Sequence, residues 1–449
     1  MIIAVYLLCG LTGFCFIGLL DRRERSVDPL LHLFLSPGIG LGLFAHLSFL
    51  ALVVKDRFVP ALVVGLSVPL AVGLLTAWGW SWRTARRPAC AIERLERKDL
   101  WLAPVLSLIA WPAWIQAALY PLGGWDAWSS WNLKAKFIFL GQEHWKNLFD
   151  PALWRSSPHY PLLLPMMNAW GWSFTGKVAS GIPMITAFVF TIATAGLLYA
   201  SIRTLTQRIT GLAAVLLIWT VPLFLLLSTS QYSDIVLAYF LLGGFCCLLN
   251  GVRKNSTALM ALAGLCGGFL SFTKTEGLAA AVLLALLGLW HTHHHRVSFP
   301  DKINLLKWFL GGLVLGGVPM AIFHLVYTPP NITFINGFNS ATDPTSWYRL
   351  KISLMFFFAE LVSSKWNWGM MLLLWGLALN ARRAFQKGLL IFPVFFLAYL
   401  AILFGYYLTN TYFEIVWWLQ VTLHRVLFAL LPTAALWVWL SFEPRGKSS

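Results

Sequence analysis

Apolar runs of about twenty residues recur along this chain, and each is long enough to cross the hydrocarbon core of a bilayer as a helix. Counted that way there are about thirteen, near 2–20, 30–54, 59–81, 100–120, 178–200, 210–228, 235–250, 257–273, 277–290, 305–327, 361–380, 388–408 and 426–441. Of the 449 residues, 59% are hydrophobic and only 11% charged, more apolar surface than a water-soluble fold could bury. The expected fold is an all-α polytopic membrane protein of about 13 transmembrane helices, with a long first outer loop that bears interfacial helices.

The net charge of +16 sits in short loops between the apolar runs, which fits membrane orientation and excludes nucleic acid as a partner. One set of alternate loops, 21–28, 83–99, 203–208, 253–254, 291–307, 382–387 and the C-terminal tail, holds 21 of the 33 Lys and Arg and 8 of the 17 acids. The positive-inside rule makes that side cytoplasmic. Residues 2–20 are expected to be a retained first span, because Arg22, Arg23 and Arg25 follow the apolar stretch instead of preceding it. Residues 257–290 are expected to form two short helices that meet at Thr273–Gly277 on the outer side. The six cysteines, Cys90 among them, mostly lie inside apolar runs and suggest packing residues without a disulfide framework.

The outer segments carry the chemistry. The segment Pro121-Leu122-Gly123-Gly124-Trp125-Asp126-Ala127-Trp128 puts one carboxylate between tryptophans at the exit of a span. Asp126 is a candidate general base or metal ligand there, or else a helix N-cap. His159 and Tyr160 follow, in a Pro-bracketed turn where an imidazole could contact phosphate or share protons. The stretch 161–167 is apolar, too short to span, and expected to dip against the bilayer. Gln231-Tyr232-Ser233-Asp234 joins two spans, and Asp234 is either a second site carboxylate or a cap. Lys274 and Glu276 could pair with each other or serve a donor phosphate, and Arg425 could grip a phosphate through two N–H groups. Glu360 and Lys365 flank an aromatic-rich span with similar ambiguity. The run His291–His295 is expected not to bind metal, and the Asn331-Ile332-Thr333 sequon carries no weight without a secretory context. No phosphate-binding glycine loop, HExxH or GxSxG is present, which argues against a nucleotide donor and against a serine nucleophile.

Taken together these motifs resemble the GT-C superfamily of integral-membrane glycosyltransferases, which includes protein O-mannosyltransferases and lipid A aminoarabinose transferases. The likeness is greatest to a bacterial branch of that group. It rests on Trp125-Asp126-Ala127-Trp128 opening a long loop, on Tyr160-Pro161-Leu162-Leu163-Leu164-Pro165, on Gln231–Asp234 and on Lys274–Gly277. The chain departs from the mannosyltransferases where Asp126 is followed by Ala127 instead of a second acid. It departs from the bacterial branch where His159 stands in place of an acid. The resemblance implies three regions: a three-span N-terminal extension over 1–99, a catalytic membrane core over 100–330, and C-terminal spans over 331–449 that complete the substrate cavity.

It also implies a polyprenyl-phosphate sugar donor, a lipid, glycan or protein acceptor, and transfer with inversion on the extracytoplasmic side of a bacterial inner membrane. Asp126 would deprotonate the acceptor. Lys274 and Arg425, with Lys134 or His159, would hold the leaving phosphate, helped by a Mg or Mn ion. Trp125 and Trp128 would offer flat faces to sugar or isoprenoid, and Tyr160, Gln231, Asp234 and Glu276 would line the site. The alternative is a lipid-linked glycan flippase or transporter without catalysis, which calls for acids within spans and paired broken helices. A polymerase or ligase of undecaprenyl-linked glycans shares donor and face, but calls for outer loops richer in Arg and His than these.

Overall fold

The computed structural model describes residues 1–84, 97–206, 208–295, 297–331, 335–337 and 346–442. Cys90, Ile332 and Thr333 of the sequon, and the charges of 85–96 and of the C-terminal tail lie outside the described residues. The described residues are helical and contain no strand. In chain order the helices are α1 (Ile2–Leu20), α2 (Pro29–Lys55), α3 (Pro60–Thr84), α4 (Leu102–Leu119), α5 (Asn132–Gly141) and α6 (Leu163–Thr175). Next come α7 (Gly181–Leu205), α8 (Arg208–Trp219), α9 (Pro222–Thr229), α10 (Ser233–Lys254), α11 (Thr257–Ser271) and α12 (Thr275–His294). The last are α13 (Phe299–Ile322), α14 (Ser346–Leu361), α15 (Gly369–Leu379), α16 (Ile391–Thr409), α17 (Ile415–Phe428) and α18 (Leu431–Ser441).

Among the described residues, nine helices are long and apolar enough to cross a membrane, or 11 if each bent pair counts as one span. The class of fold is the expected one, and the differences from thirteen straight spans have local causes. The run 210–228 breaks by 78° between α8 and α9, where Val221 is extended and Pro222 opens the next helix. The run 361–380 yields only the 11-residue α15, because Ser363 caps a short 3₁₀ turn at Ser364–Trp366 instead of continuing α14. The last span begins well before 426: α17 starts at Ile415 and meets α18 at a 49° bend. Residues 257–290 do form two helices, α11 and α12, joined through Phe272–Lys274.

The core of the bundle is α10, whose spanning window is wholly buried. Around it helices approach closely through small residues, which substitute for a hydrophobic driving force inside lipid. Gly264 and Gly268 of α11 face Gly312 and Gly316 of α13. A Cβ at Gly264 would stand 1.9 Å from the Phe309 carbonyl oxygen, and one at Gly312 would stand 2.1 Å from that of Ala261. The helix α6 does not dip against the bilayer, as its sequence suggested. All of Leu163–Ser173 is buried in protein, with Trp170 stacked on Phe44 at 4.7 Å.

Two polar ends close the bundle. At one, Arg203 of α7 binds Asp28 and, at 3.1 Å, Asp99, which also accepts from the Tyr199 hydroxyl at 2.9 Å. Glu24 there caps α11 by accepting from Ser256, Thr257 and Ala258. At the other end, the α10 start meets the α11–α12 turn through Ser233 Oγ, which donates to the Thr273 carbonyl at 3.0 Å. The start of α6 joins them as Leu163 N donates to the Phe272 carbonyl at 3.0 Å. Because backbone lies where a Gly264 side chain would go, Gly264→Leu should destabilise the protein by about 1–3 kcal/mol, seen as a lowered Tm beside an unchanged Gly311→Leu control.

Candidate active site

The Gly123–Gly124 pair that precedes Asp126 serves close approach. Gly123 has φ +74°, and a Cβ there would stand 2.5 Å from the Ser230 carbonyl oxygen. Gly124 N donates to that carbonyl at 3.0 Å, and a Cβ on Gly124 would stand 2.4 Å from the Tyr232 hydroxyl. The loop therefore lies flat on the turn between α9 and α10. Asp126 N donates to the Tyr232 hydroxyl oxygen at 3.3 Å. Asp126 does not cap the helical turn that follows, since its side chain accepts nothing from that turn's backbone.

Its carboxylate turns instead to Arg425, whose Nη1 lies 2.6 Å from Asp126 Oδ2. The Nη2 of the same guanidinium lies 3.2 Å from Asp234 Oδ2. Lys274 Nζ approaches the other oxygen of Asp234 at 3.1 Å and Glu276 Oε1 at 3.4 Å. Five residues from four separate stretches thus form one chain of alternating charge: Asp126, Arg425, Asp234, Lys274 and Glu276. Asp234 sits in its middle, 2% exposed with both oxygens bonded to cations, while the Asp126 side chain is 34% exposed. The Tyr232 ring lies under the guanidinium at 4.5 Å, and the Tyr160 ring lies 5.9 Å from Lys274 Nζ. Two buried polar atoms in this cluster have no hydrogen-bond partner: Arg425 Nε, a donor, and Glu276 Oε2, an acceptor.

The remaining predicted residues surround the cluster with different parts to play. Trp125 and Trp128 are exposed and meet edge to face at 4.4 Å, whereas the third tryptophan, Trp131, is buried and stacked on Tyr160 at 5.6 Å. Lys134 is buried, donates to the Ser157 carbonyl at 2.6 Å, and lies 5.4 Å from the Trp131 and Tyr160 rings. Burial pushes its ammonium down to about 7. His159, beside Tyr160 at 4.8 Å, is pushed down to about 3 by burial and by the Lys134 charge. Both effects favour its neutral imidazole, which can still donate an N–H to a phosphate. Glu360 and Lys365 stand 3.8 Å apart, with Lys365 Nζ 3.3 Å from His424 Nδ1, next in sequence to Arg425.

Sequence reasoning missed a buried amide chain behind the loop. Gln231 Nε2 donates to the Pro121 carbonyl at 3.0 Å, and its Oε1 accepts from Asn132 Nδ2 at 2.9 Å. Asn132 Oδ1 accepts from Asn168 Nδ2 at 2.9 Å, and Asn168 Oδ1 from Thr186 Oγ1 at 3.2 Å. Thr186 Oγ1 also lies 2.6 Å from the Tyr6 hydroxyl of α1. These bonds hold Gln231 at φ 62°, an uncommon conformation for a residue with a Cβ. The signal was present: an Asn at 168 inside an apolar run needs a partner once buried.

Two outcomes follow from the charges. Asp234→Ala leaves Lys274 and Arg425 facing each other in a buried site and should cost about 3–5 kcal/mol, measured as a lowered Tm, whereas Asp126→Asn should leave Tm nearly unchanged. Lys134 is neutralised more easily in the folded protein than in the unfolded chain. Its burial penalty is therefore fully present below pH 7 and relieved as pH rises from about 7 towards 10.5. Wild type should gain stability over that window, and Lys134→Met should lose that gain in a Tm-against-pH series.

Comparison with family models matches residues 159–323 to dolichyl-phosphate-mannose-protein mannosyltransferase, a little over a third of the chain. That segment holds Tyr160, Gln231, Asp234, Lys274 and Glu276, while Asp126, Lys134 and Arg425 lie outside it. No curated protein and no solved structure matches the chain. Residues 159–323, which hold three of the five charges of the network, are similar to the dolichyl-phosphate-mannose-protein mannosyltransferase family, which belongs to the GT-C superfamily of membrane glycosyltransferases.

Proposed function

We propose that the protein transfers a sugar, of the mannose class named by its matching family, from a polyprenyl-phosphate donor to an acceptor hydroxyl. The observation that carries this reading is the bridging of Asp126 and Asp234 by one guanidinium with Lys274 alongside. A donor phosphate competes with carboxylates for the same cations. When it binds, Arg425 and Lys274 turn towards it, with Arg425 Nε as a donor not yet committed. Loss of its Arg425 contact frees the Asp126 carboxylate to accept a hydrogen bond from the acceptor hydroxyl.

Asp126 is the better candidate for the base because it is the accessible carboxylate, while Asp234 is enclosed by its two cations. The acceptor O–H proton passes to Asp126, and the acceptor oxygen attacks the anomeric carbon. The bond from that carbon to the phosphate oxygen breaks, its electrons stay with the leaving polyprenyl phosphate, and the configuration inverts. Arg425 and Lys274 stabilise the charge that grows on the leaving oxygen. Glu276 Oε2, buried and without a donor, is an acceptor for a sugar hydroxyl.

Among the described residues no group of three or more His, Cys, Asp or Glu is placed to hold a metal. The oxygens between the acids here face cations of the chain itself, so the donor set does not fit a Mg or Mn ion. The positive-inside count favours the extracytoplasmic side for this end of the bundle, in a bacterial inner membrane. The acceptor hydroxyl belongs to a lipid, a glycan or a protein.

The test is a transfer assay in lipid with labelled polyprenyl-phosphate sugars. Asp126→Asn should lose about 10²–10⁴-fold in rate at an unchanged Tm, Asp234→Asn should lose rate together with Tm, and a chelator should change neither. Product from wild type should carry the inverted anomer. The two bent helix pairs are a feature that transporters share. Donor that binds but is never cleaved, with flux of the intact lipid, would overturn the transferase reading in favour of a flippase.

A further inference from the structure

Tyr399 lies on α16, in an apolar run beyond the matched segment 159–323. It is 1% exposed, and its hydroxyl has no hydrogen-bond partner. Buried tyrosines elsewhere in the bundle do bond theirs. The Tyr239 hydroxyl bonds the Phe34 and Leu35 carbonyls at 2.8 and 2.9 Å, and that of Tyr199 donates to Asp99 at 2.9 Å. Packing does not account for the exception, because a plain ring would serve. Tyr399 stacks on Phe395 at 5.7 Å, and Phe392 and Phe396 are buried on the same helix without hydroxyls. A buried hydroxyl left unpaired is costly, so this one calls for a partner from outside the chain.

The neighbouring helices fix its level in the bundle. Phe245, deep on α10, stacks on Phe392 and meets Phe395 edge to face, both at 5.0 Å. Towards the other end of α16 the Tyr407 hydroxyl lies 2.7 Å from Thr422 Oγ1 of α17, the helix of Arg425. Tyr399 stands between these levels, one turn or about 6 Å nearer the ion network than Phe395. The same helix α16 packs against α12, whose first turn carries Glu276. The charges of Glu276 and Asp234 accordingly reach the Tyr399 hydroxyl. Two buried polar groups of complementary kind thus stand unpaired at the foot of the network, the Glu276 Oε2 acceptor and the Tyr399 O–H. A polyhydroxylated ring answers both, since one of its hydroxyls can donate while another oxygen accepts.

We propose that Tyr399 and Glu276 together form the sugar subsite of the transfer reaction proposed above, on which this inference rests, and that Tyr399 sets which hydroxyl pattern is accepted. The sugar ring lies below the cations that hold its phosphate, one hydroxyl donating to Glu276 Oε2 and another oxygen accepting from Tyr399. Selectivity follows from burial, because a sugar without the matching oxygen leaves the tyrosine hydroxyl unpaired.

The experiment measures kcat/KM in lipid for wild type, Tyr399→Phe and Thr433→Val, on the polyprenyl-phosphate sugar that wild type cleaves and on its monodeoxy analogues. Tyr399→Phe breaks no hydrogen bond within the protein, so its Tm should not fall. It should lose about 10-fold in kcat/KM on the full sugar. It should also match wild type on one monodeoxy donor, the one that lacks the oxygen Tyr399 binds. Thr433→Val removes another buried, unpartnered hydroxyl, on α18, and should leave kcat/KM unchanged. Wild-type rates from Tyr399→Phe on every donor would overturn the subsite and leave the transfer reading standing. An equal loss on all donors, full and deoxy, would overturn it too, because the hydroxyl would then support the network without touching the sugar. Should Tyr399→Phe insert poorly, the wild-type series still bears on the subsite, which an unchanged kcat/KM on all monodeoxy donors would overturn. Failure of wild type to cleave any donor would instead overturn the transfer reading, and the subsite with it.

Discussion

One guanidinium holds this protein's candidate site together. Arg425 reaches Asp126 with one nitrogen and Asp234 with the other, and Lys274 completes the neutralisation of Asp234. A buried carboxylate such as Asp234 is tolerable in a membrane bundle only when its charge is matched on every side. The cluster holds three acids and two bases, and this arrangement sets both its stability and its reactivity. Cations that balance acids in the resting state are also the groups an incoming phosphate would recruit. Under the proposed function, stability of the cluster and affinity for an anionic donor would draw on the same two side chains.

The rest of the end of the bundle serves to keep that cluster in register. Gly123 and Gly124 let the Asp126 loop lie directly on the 230–232 turn, and the amides of Gln231, Asn132 and Asn168 tie the turn to α5, α6 and α7. Each amide donates to one neighbour and accepts from another, so loss of any one leaves buried polar atoms on both sides of the gap. Through Thr186 the chain of bonds reaches Tyr6, giving α1 a physical connection to the site although it shares no residue with it.

Much of this was legible in the residues alone, for specific reasons. Apolar runs interrupted by charges announce helices and their ends, so the meeting of α11 and α12 at Lys274 was expected. Charged residues beside spans stand out, which makes Asp126, Asp234, Lys274, Glu276 and Arg425 visible as candidates in the sequence. What hydropathy does not encode is the direction of a helix or its burial by protein instead of lipid. The 78° break at Val221–Pro222, the buried α6 and the early start of α17 were therefore missed. For His159 the sequence does not show the burial beside Lys134 that favours its neutral form. Asn132 and Asn168 escaped notice because uncharged amides look unremarkable until their burial is seen.

The Asp126–Arg425 contact joins residues 299 positions apart in the chain. During synthesis α4, the Asp126 loop and α10 enter the membrane long before α17 leaves the ribosome. Until Arg425 arrives, Asp234 has Lys274 as its cation while Asp126 lacks its ion-pair partner, and the two acids lack the group that bridges them. The nascent protein thus passes through a stage in which the first loop can already lie on the 230–232 turn while its carboxylate is still unpaired. Docking of α17 completes the cluster, so under the proposed function a ribosome-bound or truncated chain lacking Arg425 would be inert towards a lipid-linked donor.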